Sequence, residues 1–200
     1  MKYTILMGSP NRDGNTAALL RLFREECETL GVEQEVFWLY EQDIRPCLGC
    51  KACQEVLDDL GCVHSDDLRK IYDSVQSSDL LVLATPIYSW FCTPPMKAAL
   101  DRLIYAGCKY YGSVRGGTTY AGKPVATIAT CGYRPEKGAD LWEEGLRRWC
   151  KHTELNYLGM FCHRDIGKKD AFLTEQVEQD VRNFARSLFE TLGAPKKETL

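Results

Sequence analysis

No apolar run in this sequence approaches the roughly 20 residues a helix needs to cross a bilayer, so a membrane span is not expected. The opening Met1-Lys2-Tyr3-Thr4-Ile5-Leu6-Met7 has too short an apolar stretch, and no small-residue cleavage site, for a signal peptide. It reads as a first buried strand, and a cytoplasmic location is expected. Excess positive charge is also missing. The formal net charge is −3, which gives a nucleic-acid partner no electrostatic footing. Internal repeats and Pro- or Ser-rich linkers are absent, so one domain over 1–193 is expected, with 194–200 as a flexible tail.

Cysteine, by contrast, is abundant. The ten cysteines of a chain expected in a reducing compartment read as core thiols, metal ligands or redox groups rather than disulfides. Cys27, Cys92, Cys108, Cys131, Cys150 and Cys162 are scattered and read as core or loop thiols. The apolar fraction of 44% and charged fraction of 26% are those of an ordinary globular protein.

Strands and helices alternate along the chain. Strands are expected at 3–7, around Val36, Trp38 and Tyr40, at 80–84, 125–129 and 155–162. Helices are expected at 15–30, 66–76 with Asp66 as N-cap, Pro94 to about Tyr105, 138–151 and 171–192. Leu80-Leu81-Val82-Leu83-Ala84 is continuously apolar, as a parallel strand covered on both faces must be. The alternation predicts a three-layer, doubly wound α/β sheet of five parallel strands. In such sheets the ligand sits beyond the carboxyl ends of the strands, where strand order reverses.

The turn after the first strand, Gly8-Ser9-Pro10-Asn11-Arg12-Asp13-Gly14-Asn15-Thr16, reads as a phosphate cradle. A helix N-terminus offers unpaired N–H groups and a positive dipole end. Ser9, Asn11, Asn15 and Thr16 add side-chain donors, Arg12 adds charge, and Gly14 admits close approach. The lysine of a nucleoside-triphosphate loop is missing, and so is Gly-x-Gly-x-x-Gly. A terminal phosphomonoester suits this turn better than a triphosphate or a dinucleotide.

After the third strand comes Thr85-Pro86-Ile87-Tyr88-Ser89-Trp90-Phe91, and after the fourth Thr130-Cys131-Gly132-Tyr133-Arg134. The two open turns are placed to hold a flat heteroaromatic ring by its edge, with Tyr88, Trp90 or Phe91 covering a face or stacking on an electron acceptor. Cys47, Cys50 and Cys53, spaced C-x2-C-x2-C, with Cys62 beyond them, are candidates to ligate a [4Fe–4S] cluster or Zn²⁺, or to remain metal-free thiols. Asp66 and Asp67 just downstream read as solvated caps. Arg102 and Lys97 read either as surface ion-pair residues or as aids to folding or NADPH recognition. The aromatic, glycine-rich loop 106–123 is expected to shelter the ligand or to reach across a dimer interface.

The cradle, Cys47-Leu48-Gly49-Cys50-Lys51-Ala52-Cys53 with Cys62, Asp66-Asp67, Thr85-Pro86-Ile87-Tyr88 and Lys97-Ala98-Ala99-Leu100-Asp101-Arg102 together resemble the NADPH-dependent FMN reductase family and its iron–sulfur flavoprotein branch. The resemblance covers about residues 1–135. It implies a flavodoxin-like fold with strand order 2-1-3-4-5 and bound FMN. It implies reduction by NAD(P)H and electron passage to a quinone, flavin, azo or nitro compound, or to a protein partner. It implies that Ser9, Asn11, Asn15 and Thr16 hold the phosphate, that Pro86, Ile87, Tyr88 and Ser89 line the ring, and that Thr130, Cys131 and Gly132 stand opposite. A homo-oligomer, dimer or tetramer, is the family expectation. The chemistry would lie on the flavin, with no side chain needed as acid or base. This agrees with the three histidines, His64, His152 and His163, which fall outside the expected site and read as solvated or structural.

Overall fold

The computed structural model describes residues 1–167 and 172–193. The expected flexible tail at 194–200 and the expected helix start at 171 lie outside the described residues. The elements are β1 (Lys2–Met7), α1 (Asn15–Thr29), β2 (Glu33–Trp38), α2 (Leu68–Ser77), β3 (Leu80–Pro86), α3 (Pro94–Gly107), β4 (Pro124–Cys131), α4 (Pro135–Gly138), α5 (Asp140–His152), β5 (Asn156–Arg164) and α6 (Glu175–Gly193). The strands pair in parallel in the order β2-β1-β3-β4-β5, the doubly wound, flavodoxin-like arrangement expected.

Side-chain alternation along the strands builds two cores. Leu80, Val82 and Ala84 pack with Leu19, Leu20, Phe23 and Cys27 of α1 and with Val177, Val181, Ala185 and Leu188 of α6. Leu81 and Leu83 face the opposite layer of α2, α3 and α5, where Trp142, Leu146 and Cys150 recur at helical spacing. With α1 on one face and α3 on the other, the connections that follow β1 and β3 diverge. The crevice between them lies at the carboxyl ends of these strands.

Two boundaries depart from the periodicity. Tyr40 leaves the strand and joins a 3-10 turn, Leu39–Glu41. The helix expected over 138–151 is α5, Asp140–His152, and it is preceded by a separate short turn, α4, that Pro135 nucleates and Ala139, at φ −123, breaks from α5. The third helix runs on to Gly107, whose lack of a side chain lets the Tyr120 ring lie against it. Tyr120 is buried, and its hydroxyl donates to the Leu103 carbonyl at 2.9 Å. A methyl group at 107 would overlap that ring. Gly107→Ala should therefore destabilise the fold by about 1–3 kcal/mol through overpacking, read as a lowered urea midpoint with an unchanged slope.

Candidate functional site

The cradle is built on β1 and β3 together. The Gly8 N–H donates to the Ala84 carbonyl at 2.7 Å, and a β-carbon at Gly8 would stand 2.8 Å from Thr93 Oγ1. Ser9 Oγ accepts from the Asn11 N–H at 3.2 Å, Asn11 Oδ1 accepts from the Asp13 N–H at 3.0 Å, and the Gly14 N–H donates to the Asn11 carbonyl at 3.3 Å. The loop thus folds on itself and leaves the helix start alone. Gly14 is extended (φ −81, ψ 171), and α1 has no side-chain cap. Its first regular bond runs from the Ala18 N–H to the Gly14 carbonyl at 2.9 Å. Among the described residues no acceptor takes the N–H groups of Asn15, Thr16 or Ala17. Open donors at the positive end of a helix dipole suit an oxyanion.

Two expected phosphate ligands are engaged elsewhere. Thr16 is buried, and its hydroxyl shares a 2.7 Å hydrogen bond with that of Thr130, tying α1 to the end of β4. The Arg12 guanidinium forks onto Glu41 at 2.7 and 2.5 Å and lies 4.3 Å from the centre of the Trp38 ring. Its charge is already matched. Thr93, which no motif announces, is buried beside the cradle. Its buried Oγ1 beside Gly8 has no hydrogen-bond partner among the described residues, and the only sequence signal is its place before Pro94-Pro95.

The two ring-edge turns meet as expected. Pro86 pairs with Thr130, and the Ile87 N–H donates to the Thr130 carbonyl at 2.7 Å. Tyr88 and Phe91 close a tight hairpin with bonds of 2.9 and 3.1 Å. Its central residues Ser89 and Trp90 take φ 51 and 68, the left-handed conformation that a two-residue hairpin turn requires at both positions and that is costly for a residue with a β-carbon. Trp90 Nε1–H donates to the Lys137 carbonyl at 2.9 Å, and its ring stacks on Tyr133, 6.0 Å between centroids and 10° between planes. Ile87, Ser89, Cys131 and Gly132 line a cleft with this aromatic pair. Arg164 Nε donates to the Gly132 carbonyl at 3.0 Å, and the Cys131 thiol donates to the Tyr133 carbonyl at 3.3 Å. Burial raises the pKa of the Cys131 and Cys162 thiols, whose sulfurs lie 3.6 Å apart. Tyr40, Tyr88 and Phe91 are exposed, and none of them is among the residues that line the cleft.

The four clustered cysteines also come together. Cys47, Cys50, Cys53 and Cys62 line one cavity, with Arg102 and Tyr105 of α3 on its wall. Gly49 and Lys51, at φ 64 and 61, turn the segment around it. The Gly49 N–H donates to Cys47 Sγ at 3.4 Å, and Arg102 Nη2 to Cys62 Sγ at 3.2 Å. Among the described residues no three His, Cys, Asp or Glu side chains close in tightly enough to hold a single metal ion. Zinc requires its sulfurs about 2.3 Å from one centre. A four-iron cluster joins each sulfur to a different iron and fills the middle of the cavity itself. The shared cavity brings the four thiols of the sequence motif together without selecting between the two.

Loop 106–123 covers this cysteine segment, not the cleft to which its aromatic content pointed. The Tyr111 N–H donates to Gln54 Oε1 at 3.0 Å, the Ser113 N–H to Glu55 at 3.1 Å, and Lys109 Nζ to the Cys53 carbonyl at 2.9 Å. Gln54 and Lys109 are both fully buried and satisfy their polar ends only against each other's backbone neighbourhood. His64 lies on the cysteine cavity, His152 stacks on Tyr111, and His163 packs edge-on against Phe172. None of the three is among the residues that line the cleft, although His163 pairs in register with Thr130 on β4.

Comparison with known proteins agrees with this geometry. The family model described as NADPH-dependent FMN reductase matches residues 1–159. The chain belongs to that family. It is 36% identical over 142 residues to an iron-sulfur flavoprotein of Archaeoglobus fulgidus, covering 64% of this chain and 68% of that one. A second iron-sulfur flavoprotein of the same organism is 31% identical over 155 residues, covering 74% of this chain and 64% of its own length. Among solved structures, an FMN-dependent NADH-azoreductase from Bacillus anthracis in complex with FMN shares the fold, with TM-score 0.71 at 14% identity, covering 94% of this chain and 98% of that chain.

One motif of the family resemblance takes an unexpected place. Asp67 precedes α2 and pairs with Lys70 at 2.9 Å, as a partly solvated cap does. Asp66 is not the solvated cap that its position predicts. Its side chain is 0% exposed and that of Arg102 1%. Asp66 Oδ2 accepts from Arg102 Nη1 at 2.5 Å and Oδ1 from Nη2 at 3.0 Å, and the N–H groups of Arg45 and Leu68 add bonds of 3.1 and 3.3 Å. Burial alone would raise the Asp66 pKa, but the guanidinium and the N–H donors outweigh it and hold the carboxyl below its usual value. Asp66→Asn should cost about 3–5 kcal/mol, because it leaves a buried cation uncompensated. The folded pKa lies below the unfolded one, so the carboxylate's contribution is complete above the unfolded value and is lost as pH falls through the folded value. Urea melts should therefore show the gap between wild type and variant closing as the pH drops below the ordinary carboxylate range.

Proposed function

We propose that this chain binds FMN non-covalently across the ends of β1, β3 and β4 and passes electrons from NAD(P)H to a small acceptor, such as a quinone, a flavin, or an azo or nitro compound. The observation that carries the reading is the open start of α1, joined through Thr16 and Thr130 to the two ring-edge turns. The residues fit the cofactor. The N–H groups of Asn15, Thr16 and Ala17 would take the terminal phosphate, within a loop shaped by Ser9, Asn11 and Gly14. Pro86, Ile87, Tyr88 and Ser89 would meet the ring on one side and Thr130, Cys131 and Gly132 on the other. Bound FMN supplies two-electron exchange with both nicotinamide and acceptor. The chain's own residues then bind, orient and exclude water. Trp90 and Tyr133 wall the cleft, and the exposed Tyr40, Tyr88 and Phe91 offer flat apolar surface to an aromatic acceptor. The reading treats 1–193 as one FMN-binding domain of a cytoplasmic dimer or tetramer.

Added FMN should bind with quenching of its fluorescence, and anaerobic NADPH or NADH should bleach the visible flavin band in stopped-flow. A protein that ignores FMN overturns the reading; bound flavin that neither coenzyme bleaches reduces it to a binding protein. Gly14→Asp tests the cradle itself. A carboxylate there repels phosphate at the open start of α1, so FMN affinity should fall at least about ten-fold; its β-carbon would stand 3.2 Å from that of Asn11, so the urea midpoint of the apo-protein is read alongside to separate lost binding from lost stability.

A second reading is favoured by the cysteine cavity: an iron–sulfur flavoprotein that carries electrons to a protein partner. Four thiols on one cavity, with N–H donors on three of the sulfurs, support it. Anaerobic reconstitution should load about four iron and four sulfide per chain. Iron-free protein after reconstitution removes this reading and leaves the first intact.

A further inference from the structure

Two buried cations adjoin the cysteine segment, Arg102 on the cavity wall and Lys109 behind it at the Cys53 backbone, and nothing in the proposed flavin chemistry uses them. Lys109 follows α3 and is 0% exposed. Its Nζ donates to the Cys53 carbonyl at 2.9 Å and to the Asp59 carbonyl at 2.7 Å. The two carbonyls take two of the three ammonium protons and do not match its charge. The Asp59 carboxylate points elsewhere and forms an ion pair with Arg69 at 2.8 Å. Asp58 and Asp59 act on Lys109 only through space, and no carboxylate among the described residues pairs with it directly; a buried ammonium without a paired anion is disfavoured unless a further negative group compensates it.

Arg102 is the second cation. Its charge is balanced by Asp66, yet Nη2 also reaches Cys62 Sγ at 3.2 Å, and its buried Nε has no partner among the described residues. The two cations thus approach different cysteines of one cavity, Lys109 through the Cys53 backbone and Arg102 at the Cys62 sulfur. Neither can drift away. Gln54 clamps the segment that carries Cys53 by donating to the Tyr105 and Cys108 carbonyls at 2.5 and 2.9 Å, and Arg102 is fixed by its fork on Asp66.

We propose that Lys109 is the built-in counter-charge, assisted by Arg102, of an anionic four-thiolate iron–sulfur cluster in the cavity of Cys47, Cys50, Cys53 and Cys62. The proposal rests on the second reading above. A cluster with four thiolate ligands is negative in both oxidation states, and accepting one electron makes it more so. No bond forms or breaks in that step. An ammonium fixed at the backbone of one ligand stabilises the reduced state more than the oxidised one, and so raises the reduction potential. Lys109 is therefore a positioning and tuning residue for the cluster, not a ligand.

The test uses full-length wild type, Lys109→Gln, Lys109→Met and Lys109→Arg, each reconstituted anaerobically with iron and sulfide. Iron content, circular dichroism and the cluster midpoint, from an EPR-monitored redox titration, are the readouts. The glutamine amide can still donate to a carbonyl but carries no charge, so it keeps the loop bonded if methionine unfolds it. The expected result is a midpoint more negative than wild type in the Gln and Met variants at equal iron content, restored by Arg. A folded Gln variant that loads less iron than wild type, while Arg loads fully, supports the same role at cluster binding. Full iron with an unchanged midpoint in Lys109→Gln overturns the proposal. Wild type that takes up no iron overturns it as well, and the iron assay identifies that as a failure of the cluster reading before any potential is measured.

Discussion

β1 lies between β2 and β3, and the helices that follow β1 and β3 pack on opposite faces of the sheet. The winding therefore diverges above these two strands, and an open gap is left at their carboxyl ends. α1 begins at the border of this gap. Its position is set by Leu19, Leu20 and Phe23, which are buried against β1, β3 and α6. Its first turn is left unpaired because Gly14 brings no side chain to cap it. A buried core thus holds uncapped donors in place, and the remaining site residues are arranged around them. Thr16 reaches Thr130, Thr130 receives Ile87, and the strained hairpin that follows carries Trp90 to Tyr133.

α3 links the two chemical regions. Thr93 precedes it beside Gly8, and Arg102 and Tyr105 on its later turns face the cysteine cavity. A helix of this length spans about 20 Å and moves as a unit, so the cradle and the cavity keep a fixed separation. The cavity side is held by groups that are buried and polar: Asp66 on Arg102, Gln54 on the end of α3, Lys109 on Cys53 and Asp59. Their hydrogen bonds make this end of the molecule specific in geometry, where an apolar core would only fill space.

Local physics was legible along the chain. The continuous apolar run at 80–84 announced a central parallel strand, and helical spacing in 141–150 announced an amphipathic helix. Glycine, proline and small polar residues between strand and helix marked both the cradle and the ring-edge turns, which do meet at one edge of the sheet. The compact spacing of Cys47, Cys50 and Cys53 marked a shared cavity. The less legible features involve partners distant in sequence. Arg12 has Glu41, Thr16 has Thr130, Asp66 has Arg102, and loop 106–123 has the cysteine segment.

The sequence by itself determined which segments are strands, which are helices and where the chain can offer backbone donors, because periodicity and turn chemistry act over a few residues. Only the tertiary structure decided which side chains remain free to meet a ligand. A charged or polar group finds its partner by packing and desolvation against residues far along the chain, and no local pattern records that choice. Arg12 and Asp66, alike in sequence as exposed charges, end as a surface ion pair and a buried one for that reason.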